Sequence, residues 1–236
     1  MKAMKQTLIA LALGAAIAAP AQAAVVSVGG ITWDTEALGL DFNVTSATAN
    51  STVNSTTGAV SGFGVVTTLN GEAVSTFCPG CELTFAYGGY APVVGTNTYS
   101  SGWFNFYVDS SIDASTSNAT LLNATNTTDG SLWLSTVSHS VLTKTLIPGV
   151  LLAYTGWVDV VGGAAASYIN TNTMNDGSDL NVGLSFVNPN GNFSTGVANF
   201  QGDSVVPNTV PEPASLALVG LGLIGAGFAR RRKSAK

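Results

Sequence analysis

Two cysteines, one histidine and a scatter of carboxylates are the side chains of this 236-residue protein that could do chemistry. Cys78-Pro79-Gly80-Cys81 has the spacing of a disulfide across a Pro-Gly turn, of a thioredoxin-type redox pair, or of half a zinc site. These make different demands on their surroundings. A redox pair activates its first thiolate at a helix N-terminus, whereas the residues after Cys81 alternate like a strand. Zinc needs two more ligands, and His139 is the only histidine. The disulfide asks for nothing further, which favours it. Over so short a loop it is worth about 2 kcal/mol in the chain-entropy model, and it chiefly pins the turn.

His139 is also the only residue able to serve in a histidine-based triad, and no Gly-x-Ser-x-Gly elbow accompanies it. Glycosidase chemistry requires two facing carboxylates. The acids here are dispersed, and sequence does not pair them, so no catalytic residue and no enzyme is expected. A secreted hydrolase is the alternative that a cleft with two close acids would restore. The segment 170–179 faintly suggests a calcium loop. Set on the EF-hand pattern from Asn172, Asp176 and Gly177 fall correctly, but Met174 and Gly183 stand at ligand positions. Asp176 and Asp179 stay weak candidates for another kind of cation site, against an Asx-rich turn between two strands. No cofactor is expected. A glycan-binding module is a further reading, with Trp33, Trp103, Trp133 or Trp157 as stacking platforms.

The elements that must position these residues read as β almost throughout. Leu40, Phe42 and Val44 alternate onto one face. Val65 to Leu69, Asn70-Gly71 and Glu72 to Thr76 spell a hairpin, because Asn-Gly accepts the positive φ angles of a two-residue type I′ turn. Glu82 to Tyr87 alternates. Trp103 to Val108 carries aromatic residues on both faces and reads as a central strand. Further strands are expected at Leu132 to Val137, Leu151 to Val161 and Leu180 to Phe186. Ser46 to Thr57 and Ser110 to Asp129 are rich in Ser, Thr and Asn and read as long exposed loops. Seven Asn-x-Ser/Thr sequences (Asn43, Asn50, Asn54, Asn118, Asn123, Asn126, Asn192) mark segments expected to face solvent. Eight or more strands without a convincing helix predict an all-β, antiparallel β-sandwich, jelly-roll-like, over residues 24–201.

The two ends of the chain differ from this domain. Lys2 and Lys5, the apolar run from Leu8 to Ala19 and Ala21-Gln22-Ala23 predict a signal peptide over 1–23. Residues 202–209 read as a linker. Beyond it come Val210, Pro211, Glu212 and Pro213, an uncharged run from Ala214 to Ala229, and Arg230, Arg231, Arg232 and Lys233. The stretch from Leu216 to Ala229 would make a helix of about 21 Å, short of a ~30 Å hydrocarbon core; extension to Ala214 and snorkelling of the basic heads narrow the mismatch without removing it. Four glycines (Gly220, Gly222, Gly225, Gly227) would weaken a soluble helix, so a membrane suits it better. The basic cluster is expected to stay cytoplasmic as a stop signal, placing the rest outside. Between residues 24 and 209 one base, Lys144, faces twelve acids, a net charge of −11. That excludes nucleic acid as an electrostatic partner.

This tail, with its Pro-Glu-Pro at 211–213, its apolar helix and its basic end, resembles the PEP-CTERM sorting signal of Gram-negative bacteria. The resemblance covers 210–236, about a tenth of the chain. It implies recognition and cleavage around Glu212 by exosortase, a precursor held in the inner membrane, and a mature form at the cell surface or in the extracellular matrix. It further implies association with exopolysaccharide or biofilm, and no activity for the domain in front. A second group of residues, including Gly62-Phe63-Gly64, Phe77-Cys78-Pro79-Gly80-Cys81 and Gly102-Trp103, is similar to a core found in a subset of such proteins.

Overall fold

The computed structural model describes residues 25–35, 41–114, 122–148, 151–187 and 193–207. The signal-peptide segment, Leu40, and the tail residues Val210 to Pro213 and Arg230 to Lys233 lie outside the described residues. Fourteen strands are described: β1 Val25–Val28, β2 Ile31–Asp34, β3 Phe42–Val44, β4 Ser46–Val53, β5 Val60–Leu69, β6 Glu72–Ala73 and β7 Glu82–Tyr90. There follow β8 Thr98–Tyr99, β9 Trp103–Asp109, β10 Ser131–Ser138, β11 Leu142–Ile147, β12 Leu151–Gly162, β13 Leu180–Val187 and β14 Phe193–Gly202. Two four-residue helices, α1 Val74–Phe77 and α2 Ala166–Ile169, interrupt them.

Every pairing is antiparallel, and eight strands form a ring. The ladder runs β9-β7-β5-β4-β14-β13-β12, and β10 joins its two ends by pairing with both β9 and β12. β12 is long enough to pair twice on one edge: Leu151–Thr155 lie against β11, and Val158–Gly162 against β10. The expectation of antiparallel all-β structure is met. The expected two-sheet, jelly-roll-like sandwich is replaced by a single sheet that closes on itself. Strand alternation specifies only that one face is buried, and both architectures satisfy it.

Aromatic side chains fill the inside. Phe200 of β14 stands among Phe106 (4.8 Å between ring centroids), Phe85 (5.3 Å) and Phe104 (5.4 Å), all edge-on to it. Edge-to-face contact suits the ring quadrupoles and adds to the area buried. Rings this large need small neighbours. A Cβ on Gly62 would lie 2.5 Å from the Tyr87 ring, and one on Gly64 would lie 2.5 Å from the Phe85 ring. The glycines of β5 therefore give the rings of β7 their room.

That volume rule explains the largest departure from the sequence reading. Residues 46–53, expected in an exposed loop, form β4, paired with β5 on one side and β14 on the other. Ala49, Asn50 and Ser51 are buried. Asn50 was expected to face solvent; its side-chain oxygen instead accepts from the Thr195 hydroxyl at 2.9 Å. The Asn70-Gly71 hairpin forms as expected, with φ of 52° and 82°. Its second strand stops at Ala73, where α1 carries Phe77 into the core. On β9 only one face is buried: Phe104 and Phe106 point inward, while Trp103, Asn105 and Tyr107 are more exposed. No strand occurs among the described residues of 110–129.

One end of the ring is closed by added structure. The β1–β2 hairpin lies there, with the Trp133 indole donating to Val28 O (2.8 Å) and the Trp33 indole to Ser204 Oγ (3.0 Å). Tyr168 of α2 packs edge-on against Trp33, and Val205 N donates to Tyr168 O. The chain thus stays bonded to the body through Val205, beyond the end of β14.

Candidate functional site

Cys78 and Cys81 are joined in a disulfide, with Cα atoms 5.2 Å apart. Cys78 follows the last residue of α1 and β7 begins at Glu82, so the pair sits between a helix end and a strand start. Cys78 caps the C-terminal end of α1 and Cys81 leads into a strand, so neither sulfur has its own helix N-terminus to give the activation a redox pair requires. The bridge pins the turn that delivers β7 to the ring.

Asp179 is 1 % exposed and its carboxylate is occupied by backbone. Oδ1 accepts from Thr171 N and Asn172 N, and Oδ2 from Val160 N, each at 2.7 Å. Three charge-assisted bonds leave little capacity for a cation, and they tie the segment after α2 to the end of β12. Asp176 stands in an exposed 3-10 turn, Asn175–Gly177, with φ of 59°. Its part of the chain is the Asx-rich turn between strands that the composition suggested.

The acids that do converge were not singled out in the sequence. Glu82 opens β7, Asp109 closes β9 directly opposite it, and Asp113 follows four residues later. One carboxylate oxygen from each lies within 4.8 Å of the others. Glu82 is 2 % exposed, and both its oxygens face Ala114 N, at 3.1 and 3.2 Å. Burial pushes its carboxyl up to about 7; the Ala114 and Asp113 backbone N–H groups work against that shift, and the Asp113 and Asp109 charges add to it. Asp113 is raised as well, first by desolvation and then by Asp129 and Asp109. Among the described residues this is the one group of three or more such ligands able to hold a hard divalent cation through oxygen. The signal for it is not local: it needs the register that sets Glu82 against Asp109. Beside it a cavity of about 450 Å³ is lined by Val65, Val74, Ile112 and the disulfide.

His139 lies at the other end of the ring, just past β10. Its Nδ1 is 2.8 Å from Asp159 Oδ1 and 3.0 Å from Oδ2. The neighbouring Ser138 hydroxyl is 3.1 Å from the Tyr90 hydroxyl and accepts from Gly102 N, so it is held away from a nucleophile's role. The four tryptophans divide evenly. Trp33 and Trp133 are buried at 4 % and 1 %. Trp103 is 37 % exposed and Trp157 half-buried, both on the outer wall.

Comparison with known proteins bears on the tail alone. Residues 209–233 match the PEP-CTERM protein-sorting motif. Neither a curated protein nor a solved structure matches the chain. Among the described residues no helix is long and apolar enough to cross a membrane.

Proposed function

We propose, with the sorting motif at 209–233 as the premise, that this is an exported, non-catalytic protein of the cell surface or extracellular matrix. The motif is the observation that carries the reading. Export would begin at the segment 1–23, and the apolar run 214–229 would hold the precursor in the inner membrane with Arg230 to Lys233 inside. Exosortase would then cut near Val210-Pro211-Glu212-Pro213, a sequence in which proline disfavours helix. The mature barrel would reside in an exopolysaccharide or biofilm matrix. Three of the groups that could do chemistry are engaged elsewhere, which supports a non-catalytic role. The cysteines are bonded to each other, Asp179 is spent on backbone N–H groups, and the serine next to His139 is engaged. The Glu82, Asp109 and Asp113 carboxylates, together beside a cavity, are the feature that favours the hydrolase alternative.

The test is intact mass and fractionation of the protein in its host, with and without the exosortase. The expected mature form starts near Ala24, ends near Glu212, and leaves the inner membrane only when the enzyme is present. Glu212→Ala is expected to leave full-length precursor in the inner membrane. Recovery of Arg230 to Lys233 on the protein in both strains would overturn the reading.

A further inference from the structure

We propose that the outer wall formed by β9, β10 and β12 binds a neutral polysaccharide, with the Trp103 indole as the stacking platform and the Asp159–His139 pair as its hydrogen-bonding flank. The inference rests on the matrix reading above and gives it a site.

Trp103 is exposed yet fixed. Across the ladder it faces Gly88, and its ring lies over Gly88 and Gly89: a Cβ on either glycine would meet indole atoms at 3.2 and 3.4 Å. The absence of side chains there lets the indole rest on backbone while 37 % of the residue remains open. An aromatic plane held this way has little rotamer freedom left to lose on binding, which is what preorganisation supplies. The next strand places Val137, 41 % exposed, beside it, and the one after that places Asp159 beside Val137. Trp103, Val137 and Asp159 thus form one row across three strands, on the order of 10 Å wide at the usual strand spacing.

The edges of the row are polar. Asp159 holds His139, a pair that offers oxygen and nitrogen to hydroxyl groups. Asn105 lies two residues along β9 from Trp103, with its Oδ1 accepting from the Ser135 hydroxyl at 2.7 Å. Trp157 precedes Asp159 by two residues on β12 and so shares its side of the wall. Ring faces amid amide, carboxylate and imidazole suit a pyranose, which presents C–H faces to an aromatic plane and hydroxyls around its rim.

Charge decides among ligands. Lys144, the one base between residues 24 and 209, is on β11, outside this row, and the row itself carries Asp159. An acidic polysaccharide or a nucleic acid would find no lysine or arginine to meet it. A wholly apolar partner would leave Asp159, His139 and Asn105 without hydrogen-bond partners from the ligand.

The experiment uses the mature protein recovered from its host. The probe is polysaccharide extracted from that host's matrix, separated by anion exchange into neutral and acidic fractions. Native gels cast with the neutral fraction should retard the protein, and the fraction should change its tryptophan fluorescence. Trp103→Ala should weaken retardation roughly tenfold, the order expected for one lost aromatic contact. Val137→Lys, at an exposed position in mid-row, should do the same, with near-ultraviolet circular dichroism unchanged. Retardation by the acidic fraction only, by neither fraction, or as strong in the two variants as in the native protein would overturn the site. So would a dimer of the native protein that Val137→Lys dissolves, since the wall would then be an interface between copies. Fractionation of the same cells separates the two ideas. Release without polysaccharide binding removes this site and leaves the sorting reading, whereas native protein retained in the inner membrane removes the sorting reading.

Discussion

Glu82 is where a single residue sets the protein's response to pH. Its carboxyl is buried opposite Asp109 and titrates near 7 in the folded protein, against an ordinary value of 4.5. Between those values the native state keeps a proton that the unfolded chain has lost, so stability falls as pH rises across that window. Asp113, raised for related reasons, acts in the same direction. The melting temperature is therefore expected to be higher at pH 5 than at pH 8. Glu82→Gln keeps an acceptor for Ala114 N without the charge, and should flatten most of that dependence and raise the melting temperature at pH 8 by a few degrees. At this chain length each kcal/mol is worth roughly 2–4 °C. An unchanged slope in the variant, followed by circular dichroism, would show that burial of Glu82 is not its source. The sequence made the Cys78–Cys81 bridge legible because the strand-like run after Cys81 and the single histidine disfavour its two rivals. It hid the Glu82 cluster because that depends on which strands are neighbours. Asp176 and Asp179 were visible as acids, but their roles turn on whether backbone N–H groups reach them, as they do at Asp179.

At the scale of elements, β4 and β5 show how far composition can mislead. Ser, Thr and Asn in 46–53 are loop formers by local chemistry. They become a strand because the rings of Phe85 and Tyr87 already fill the space on that side of the wall, and small residues fit what is left. Gly64 sits at a tight point, where a Cβ would lie 2.2 Å from Thr48 O and 2.5 Å from the Phe85 ring. Gly64→Ala should cost about 3 kcal/mol or more, the upper range for forced overpacking, measured as a fall in the urea midpoint. A neutral result would mean that β4 can move away from β5 at no cost. The Asn70-Gly71 turn, by contrast, was legible, since its chemistry is contained in two residues, although the strand expected to run on to Thr76 stops at Ala73. The short α1 after it was not, because the burial of Phe77 is decided by the barrel.

For the whole molecule, closure is the property no local pattern announces. Strand alternation gave the inside and outside of most strands, but the β10–β12 pairing and the place of β14 between β4 and β13 are long-range facts. β14 bridges parts of the chain about as far apart as the domain permits; Thr195 bonds Asn50 across 145 positions. A chain ending before Phe193 should lack cooperative unfolding altogether, since Phe200 and both ladders go with it. A sigmoidal melt of that truncation would show that seven strands can stand alone. Such distant pairing is slow to form, because loop-closure entropy is met before its contacts are made. β14, the last of the described strands to be synthesised, is a member of the ring, and it ends at Gly202, just ahead of the matched segment that starts at 209. A chain crossing a membrane N-terminus first would therefore remain an open sheet until almost all of it had passed. Secretion would act on an unfinished barrel, and the fold would be completed while the sorting tail was still arriving.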